Sequence, residues 1–399
     1  MVFSNRKVVD YTLLFLTIAI SGFPFFSSTI LLIPIFLILF TVFIVRKKRF
    51  DTVFFLAIFL LVFITISQSF IFNFFSIQTS TGVLLRIVNG YLLVKILKEN
   101  FANYYVNIFY VLSLISLFIF IPIILAPGLG NNLVQASSIF QILNISGYDG
   151  NSLIVYTLHN LTLNRNSGPF WEPGAFGGYL VIAFILNYFL TLKRYKIKGT
   201  IILLTILSTL SSTAYFSVFL FLFIFYLKKI KNFFLKILAI AFMISISLFA
   251  TLNLSFLSEK VINQAQTAAV INNPYRDTTN TARFLSILRD YEDLKGHEFF
   301  GRGSNPVTRY SFDHENQIRT VGITDILVRM GIPYFLFMMF ILHRSLRSFT
   351  TFHHFKEKLY YNGMFLTILL TLMSQVYFNF PIYWSFLFLS CAYKKEHLA

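Results

Sequence analysis

Gly199-Thr-Ile-Ile-Leu-Leu-Thr-Ile-Leu-Ser208-Thr-Leu-Ser-Ser-Thr213-Ala-Tyr-Phe-Ser-Val-Phe-Leu-Phe-Leu-Phe-Ile-Phe-Tyr-Leu227 contains no charged residue. Basic clusters flank it: Lys193, Arg194, Lys196 and Lys198 before, Lys228, Lys229 and Lys231 after. Lys and Arg mark the cytoplasmic side of a membrane protein. A single crossing would leave one cluster outside. Two short helices turning at the polar centre, Ser211–Thr213, keep both inside, so the stretch reads as a membrane hairpin.

Spans extend from this hairpin in both directions. A bilayer crossing needs roughly 20 mostly apolar residues, fewer inside a bundle. Twelve spans are predicted near 8–24, 28–45, 51–74, 81–97, 103–126, 173–192, 199–211, 213–227, 233–255, 322–343, 359–377 and 379–393. The chain divides into N-terminal spans (1–126), a first long loop (127–172), central spans (173–255), a second long loop (256–321) and the last spans with a tail (322–399). Arg6 and Lys7 precede the first span, which resembles a signal peptide; Pro24 and the apolar run behind it favour an uncleaved helix.

Composition points the same way. Of 399 residues, 56% are apolar and 12% charged, against about 25% charged in a soluble domain. A soluble enzyme, a disordered chain and a disulfide scaffold are excluded, the last because Cys391 is the single cysteine. The continuous apolar runs disfavour an outer-membrane barrel, whose strands alternate. The fold class is an all-α polytopic membrane protein with two long outer loops, the second partly helical. With both termini inside, nearly all of the +17 net charge falls in inner segments. The basic balance is thus an orientation signal rather than a nucleic-acid footprint.

Long loops are usually functional or disordered, and 256–321 carries half of the chain's 16 Asp and Glu. Within it, 283–295 places Phe284, Ile287, Leu288, Tyr291 and Leu294 on one helical stripe, with Asn280 or Thr281 as cap and Gly296 as stop. Asp290, Glu292 and Asp293 read as its solvated face. Buried charges in spans are functional candidates by default: Arg86, about one turn below the outer surface, is one, with snorkelling or pairing as the plainer alternative. Arg329 follows Asp325 by four residues, the favourable order for an ion pair.

The sharpest string is Arg165-Asn-Ser-Gly-Pro-Phe-Trp-Glu172-Pro-Gly-Ala-Phe-Gly-Gly-Tyr-Leu180. Pro173 suits the first turn of a helix, Glu172 beside that turn is favoured by the helix dipole, and Gly174, Ala175, Gly177 and Gly178 permit close packing. This string, the Ser/Thr-rich hairpin at 208–213, Gly301-Arg-Gly303, His314-Glu-Asn316 and Gly331-Ile-Pro333 together resemble the O-antigen polymerase and O-antigen ligase superfamily in content and order. The chain departs from that pattern where Glu315 separates His314 from Asn316, where no Arg follows Ser211-Ser-Thr213, and where Arg329-Met precedes Gly331.

The resemblance implies transfer of a glycan from undecaprenyl pyrophosphate to an acceptor hydroxyl, outside a bacterial inner membrane. Arg offers a permanent charge and a bidentate fork to the departing pyrophosphate; Arg283, Arg165, Arg86, Arg289 and Arg302 are the candidates, with Asn316 as a further substrate contact. A base for the acceptor hydroxyl falls to His314, whose unperturbed pKa suits proton transfer near neutrality, and Glu172 is a second catalytic candidate beside its capping role. No metal-ligand spacing or cofactor motif is present. Expected partners are the lipid-linked oligosaccharide and membrane lipid, with a chain-length regulator and a flippase as candidates; nucleic acid is not expected. The reading is a polysaccharide polymerase, of O-antigen or capsule type. A ligase, a lipid-linked glycan flippase and a non-catalytic scaffold are the alternatives. Charge concentrated in loops rather than in a central cavity favours an enzyme over a transporter.

Overall fold

The computed structural model describes residues 2–158, 164–190, 195–232, 234–238, 283–310 and 319–393. Helices are α1 Val2–Gly22, α2 Leu32–Val45, α3 Thr52–Phe72, α4 Ile77–Leu97, α5 Asn100–Leu125, α6 Pro127–Ala136, α7 Pro173–Phe189, α8 Tyr195–Ser208, α9 Ser212–Lys229, α10 Arg283–Leu294, α11 Pro306–Arg309, α12 Gly322–Phe352, α13 Lys358–Leu372 and α14 Pro381–Leu387. Sheet among the described residues is limited to Asn151–Ser152 paired with Thr157–Leu158. The protein is an α-helical membrane protein: α3, α4, α5, α9 and α12 are each long and apolar enough to cross a bilayer. Of the expected span 233–255, only 234–238 is described.

Burial keeps a helical period even where composition does not. Helix α3 is apolar all round, yet it buries Phe54, Ala57, Leu61 and Ile64 and exposes Phe55, Phe59, Phe63 and Phe70. In water such exposure would drive aggregation; in lipid it costs nothing, and packing contacts alone select the inward stripe.

The chain reverses at Thr209–Ser211, between α8 and α9. Leu210 takes a left-handed backbone (φ +47°) in this turn, and the Ser211 hydroxyl caps α9 by accepting from the Ala214 amide. At the far end of the hairpin, Lys198 meets Asn107 and Lys228 meets Tyr360 and Glu357. Both arms therefore run the length of the bundle. The turn end also receives the starts of α4, α7, α12 and α14 and the segments 127–158, 164–172 and 295–310; it is called the loop end below.

Helix α12 is broken inside its span. Gly331 has φ +76° and ψ 166°, and Pro333 follows. Backbone groups freed in a membrane need new partners, and the 298–303 segment supplies them. Arg302 N donates to Val328 O at 2.7 Å, Gly303 N to Arg329 O at 3.1 Å, and Ile332 N to Glu298 O at 2.8 Å. The Gln68 amide adds a bond to Arg329 O at 2.8 Å. A Cβ on Gly301, itself at φ +69°, would lie 2.5 Å from Gly331 N. The two glycine strings of the sequence are thus one structural joint, in which backbone touches backbone.

Two expectations are corrected. Helix α4 begins at Ile77, not 81. At 1.5 Å per residue Arg86 lies about 13 Å along it. Helix α10 is also turned from the face its pattern predicts. Leu288 and Tyr291 are 43% and 61% exposed, while Asp290 and Asp293 are each 1% exposed. Leu285 and Leu294 supply its buried apolar contacts.

Candidate functional site

The reason for that turn is a buried charge cluster. Arg309 Nη2 meets Asp290 Oδ1 at 2.5 Å, its Nη1 meets Asp293 Oδ2 at 3.0 Å, and its Nε and Nη2 both reach Asp325 Oδ1 at 3.1 Å. Arg319 pairs with the same two helix carboxylates, at 3.1 Å to Asp290 and 2.6 Å to Asp293. Arg329 takes the other Asp325 oxygen at 2.9 Å, the pair that the four-residue spacing predicts. Thr324 donates to Asp290 Oδ2 at 2.5 Å. Three guanidiniums thus balance three carboxylates. Burial by itself would lower the Arg309 pKa; Asp325, Asp290 and Asp293 outweigh it and raise it above the ordinary arginine value.

This cluster fastens α10 to the start of α12. It also fastens both flanks of 311–318, since Arg309 and Arg319 bracket that segment and each lies 5.3 Å from the Tyr310 ring. His314 and Asn316 lie outside the described residues.

The motif residues Arg165 and Arg283 meet at the hairpin turn, and Glu172 lies in the field of Arg165. Arg165 Nε donates to Thr209 O and its Nη2 to Leu210 O, each at 3.2 Å. These are carbonyls that the end of α8 leaves without helical partners. Asn166 holds the same turn through its side chain to Ser208 Oγ at 2.9 Å and its amide to Ser208 O at 3.0 Å. Arg283 Nη1 donates to Thr213 Oγ1 at 2.9 Å from across the loop end. Glu172 occupies the cap position of α7 with Pro173 next, yet its carboxylate makes no capping bond; it accepts from Gln375 instead. Burial lowers the Arg165 pKa, Glu172 opposes that and Arg283 adds to it, so the three charges share one field. Gly177 makes room for the turn: a Cβ there would lie 3.0 Å from Ala214 and 3.3 Å from Thr209 Oγ1.

The remaining candidates lie apart. Arg302 Nε donates to Thr308 O at 2.8 Å, and its guanidinium sits 5.7 Å over the Phe72 ring. His297, 5.0 Å from the same ring, is lowered below the ordinary imidazole value by burial and by Arg302. Arg289 is half-buried, and its pKa is lowered by burial and by Arg319. Arg86 lines a cavity of about 450 Å³ at the loop end, with Arg329, Asn379, Gln78, Thr79 and Ser304. Phe380, also on the cavity wall, packs with its ring tilted against Trp171, the neighbour of Glu172, at 4.9 Å between centroids.

Sequence reasoning did not single out Arg309 or Arg319, and it missed Gln375 and Asn379. The single usable signal was charge balance: a loop with as many cations as carboxylates can neutralise itself internally. No family model matches the chain, and no curated protein matches it.

Proposed function

We propose that this protein is a membrane glycosyltransferase that joins lipid-linked oligosaccharide repeat units, a polysaccharide polymerase working at the outer face of a bacterial inner membrane. The observation that carries this reading is the meeting of Arg165 and Arg283, over a hundred residues apart in sequence, on the turn at 209–213, with the Glu172 carboxylate in the field of Arg165. Two guanidiniums beside one carboxylate suit a reaction in which an anionic diphosphate departs while a hydroxyl loses a proton. The donor's anomeric C–O bond breaks, and the electron pair leaves with undecaprenyl pyrophosphate. The acceptor oxygen bonds to the anomeric carbon, and its proton passes to a base. We assign that base to His314, on the segment whose flanks Arg309 and Arg319 hold. Arg283 and Arg165 receive the diphosphate; Asn316, Arg289 and Arg302 are assigned to the glycan.

The topology belongs to this proposal: twelve spans, both termini inside, and the loop end outside. Impermeant thiol reagents should label cysteines introduced at Asn151 and Val307, the latter exposed beside buried Thr308, in intact cells, and should leave those at Lys48, Lys196, Lys229 and Lys395 unlabelled. Labelling at Lys196 and Lys229 from opposite sides would refute the orientation.

Deletion of the gene tests the activity in the cell. A polymerase loss leaves single repeat units on the surface lipid. Long polymer retained on the carrier lipid would instead assign the protein as a ligase, and repeat units trapped inside would assign it as a flippase.

A further inference from the structure

We infer that the cavity holding Arg86 and Arg329 is a second anion seat, built for a phosphate or diphosphate ester and sharing no residue with the Arg165–Arg283 turn. It rests on charge and geometry, and it stands whether or not the transferase reading does.

The Arg86 guanidinium has no hydrogen bond or ion pair among the described residues. It folds back toward the start of α4, where Gly82 leaves it space: a Cβ at Gly82 would lie 3.6 Å from Arg86 Nη1. Arg329 approaches from α12. Its Nη2 is held by Asp325 at 2.9 Å and its Nη1 by Asn379, while its Nε is buried without a hydrogen-bond partner. Asp325 is itself shared with Arg309. The three carboxylates of the buried cluster are therefore matched by Arg309, Arg319 and Arg329, which leaves Arg86 as uncompensated positive charge.

No Asp or Glu among the described residues lines the cavity. A cation placed within a span is costly unless something pairs with it, and here the described wall supplies neutral groups and a second cation, Arg329. Gln78, Thr79 and Ser304 on the wall offer donors to further oxygens. A volume of about 450 Å³ lies in the range of small-molecule sites and exceeds what a monatomic anion fills. Two convergent guanidiniums with hydroxyl and amide donors match the several oxygens of a phosphate ester.

Two sources share that chemistry: an anionic phospholipid headgroup and the diphosphate of a lipid-linked substrate. The test uses the full chain in phosphatidylcholine nanodiscs, with inorganic pyrophosphate as calorimetric probe. Arg86→Gln should weaken one binding event about tenfold or more, and Ser304→Asp, which adds a carboxylate to the wall, should do likewise. Arg86→Lys should bind with intermediate affinity. Replacing the lipid with phosphatidylglycerol separates the sources: loss of that binding event in wild type identifies a headgroup seat, and persistence identifies a substrate diphosphate seat. Wild-type pyrophosphate binding in both Arg86→Gln and Ser304→Asp, with unfolding temperatures unchanged, would overturn the proposal. The probe is never turned over, so a protein without transferase activity gives the same readout.

Discussion

Arg309→Met is expected to cost about 3–5 kcal/mol of stability, the usual effect of removing one partner from a buried ion pair. Three carboxylates lose a contact at once: Asp290 at 2.5 Å, Asp293 at 3.0 Å and Asp325 at 3.1 Å. Arg319 and Arg329 cannot neutralise all three, so one buried negative charge is left over. The thermal unfolding midpoint of the detergent-purified protein should fall clearly, and protease should cut more readily between α10 and α12. The double variant Arg309→Met, Asp325→Asn should recover part of the loss, because it removes charges of both signs. An unchanged midpoint in the single variant would mean that the cluster does not hold α10 in place.

The second large effect is on chemistry rather than folding. Arg283→Lys should lower glycan transfer by about 10–100-fold, the range that one charged hydrogen bond of roughly 1.5–3 kcal/mol implies. A lysine keeps the charge but loses the planar fork that can hold Thr213 Oγ1 and a substrate oxygen together. Among the described residues only one neutral hydroxyl contact is lost, so the unfolding midpoint should stay near that of wild type. Normal turnover in Arg283→Lys would move the donor diphosphate to another seat, with the Arg86 cavity first in line.

The helical membrane architecture was legible because hydropathy reports solvent, and the solvent here is lipid. The hairpin was legible because Lys198 and Lys228 advertise which end they occupy. The inward face of α10 was not. An amphipathic wheel ranks Asp290 and Asp293 as exposed, and only the arrival of Arg309 and Arg319, from 16 to 29 residues downstream, inverts that ranking. The start of α4 was misplaced for a related reason. Polar Gln78, Thr79 and Ser80 look like the end of a span, whereas Ser76 caps a helix that already includes them, its hydroxyl accepting from the Thr79 amide at 3.3 Å. The joint between Gly301 and Gly331 has no local signature at all, since each glycine's need for space is set by the other's backbone. Arg165, Glu172 and Arg283 were legible as residue types; the common address of the two arginines at Thr209–Thr213 required the fold.

The central claim is transfer between two lipid-linked glycans, and purified protein tests it most directly. Wild type should be supplied with undecaprenyl-pyrophosphate-linked repeat units in detergent or nanodiscs, and the products separated by mass. Glycans of two and more repeat units on the carrier are expected, with one undecaprenyl pyrophosphate released per bond formed, and near-complete loss of both in His314→Gln. Folded protein that leaves the repeat units unjoined, or that joins them equally well as His314→Gln, would contradict it.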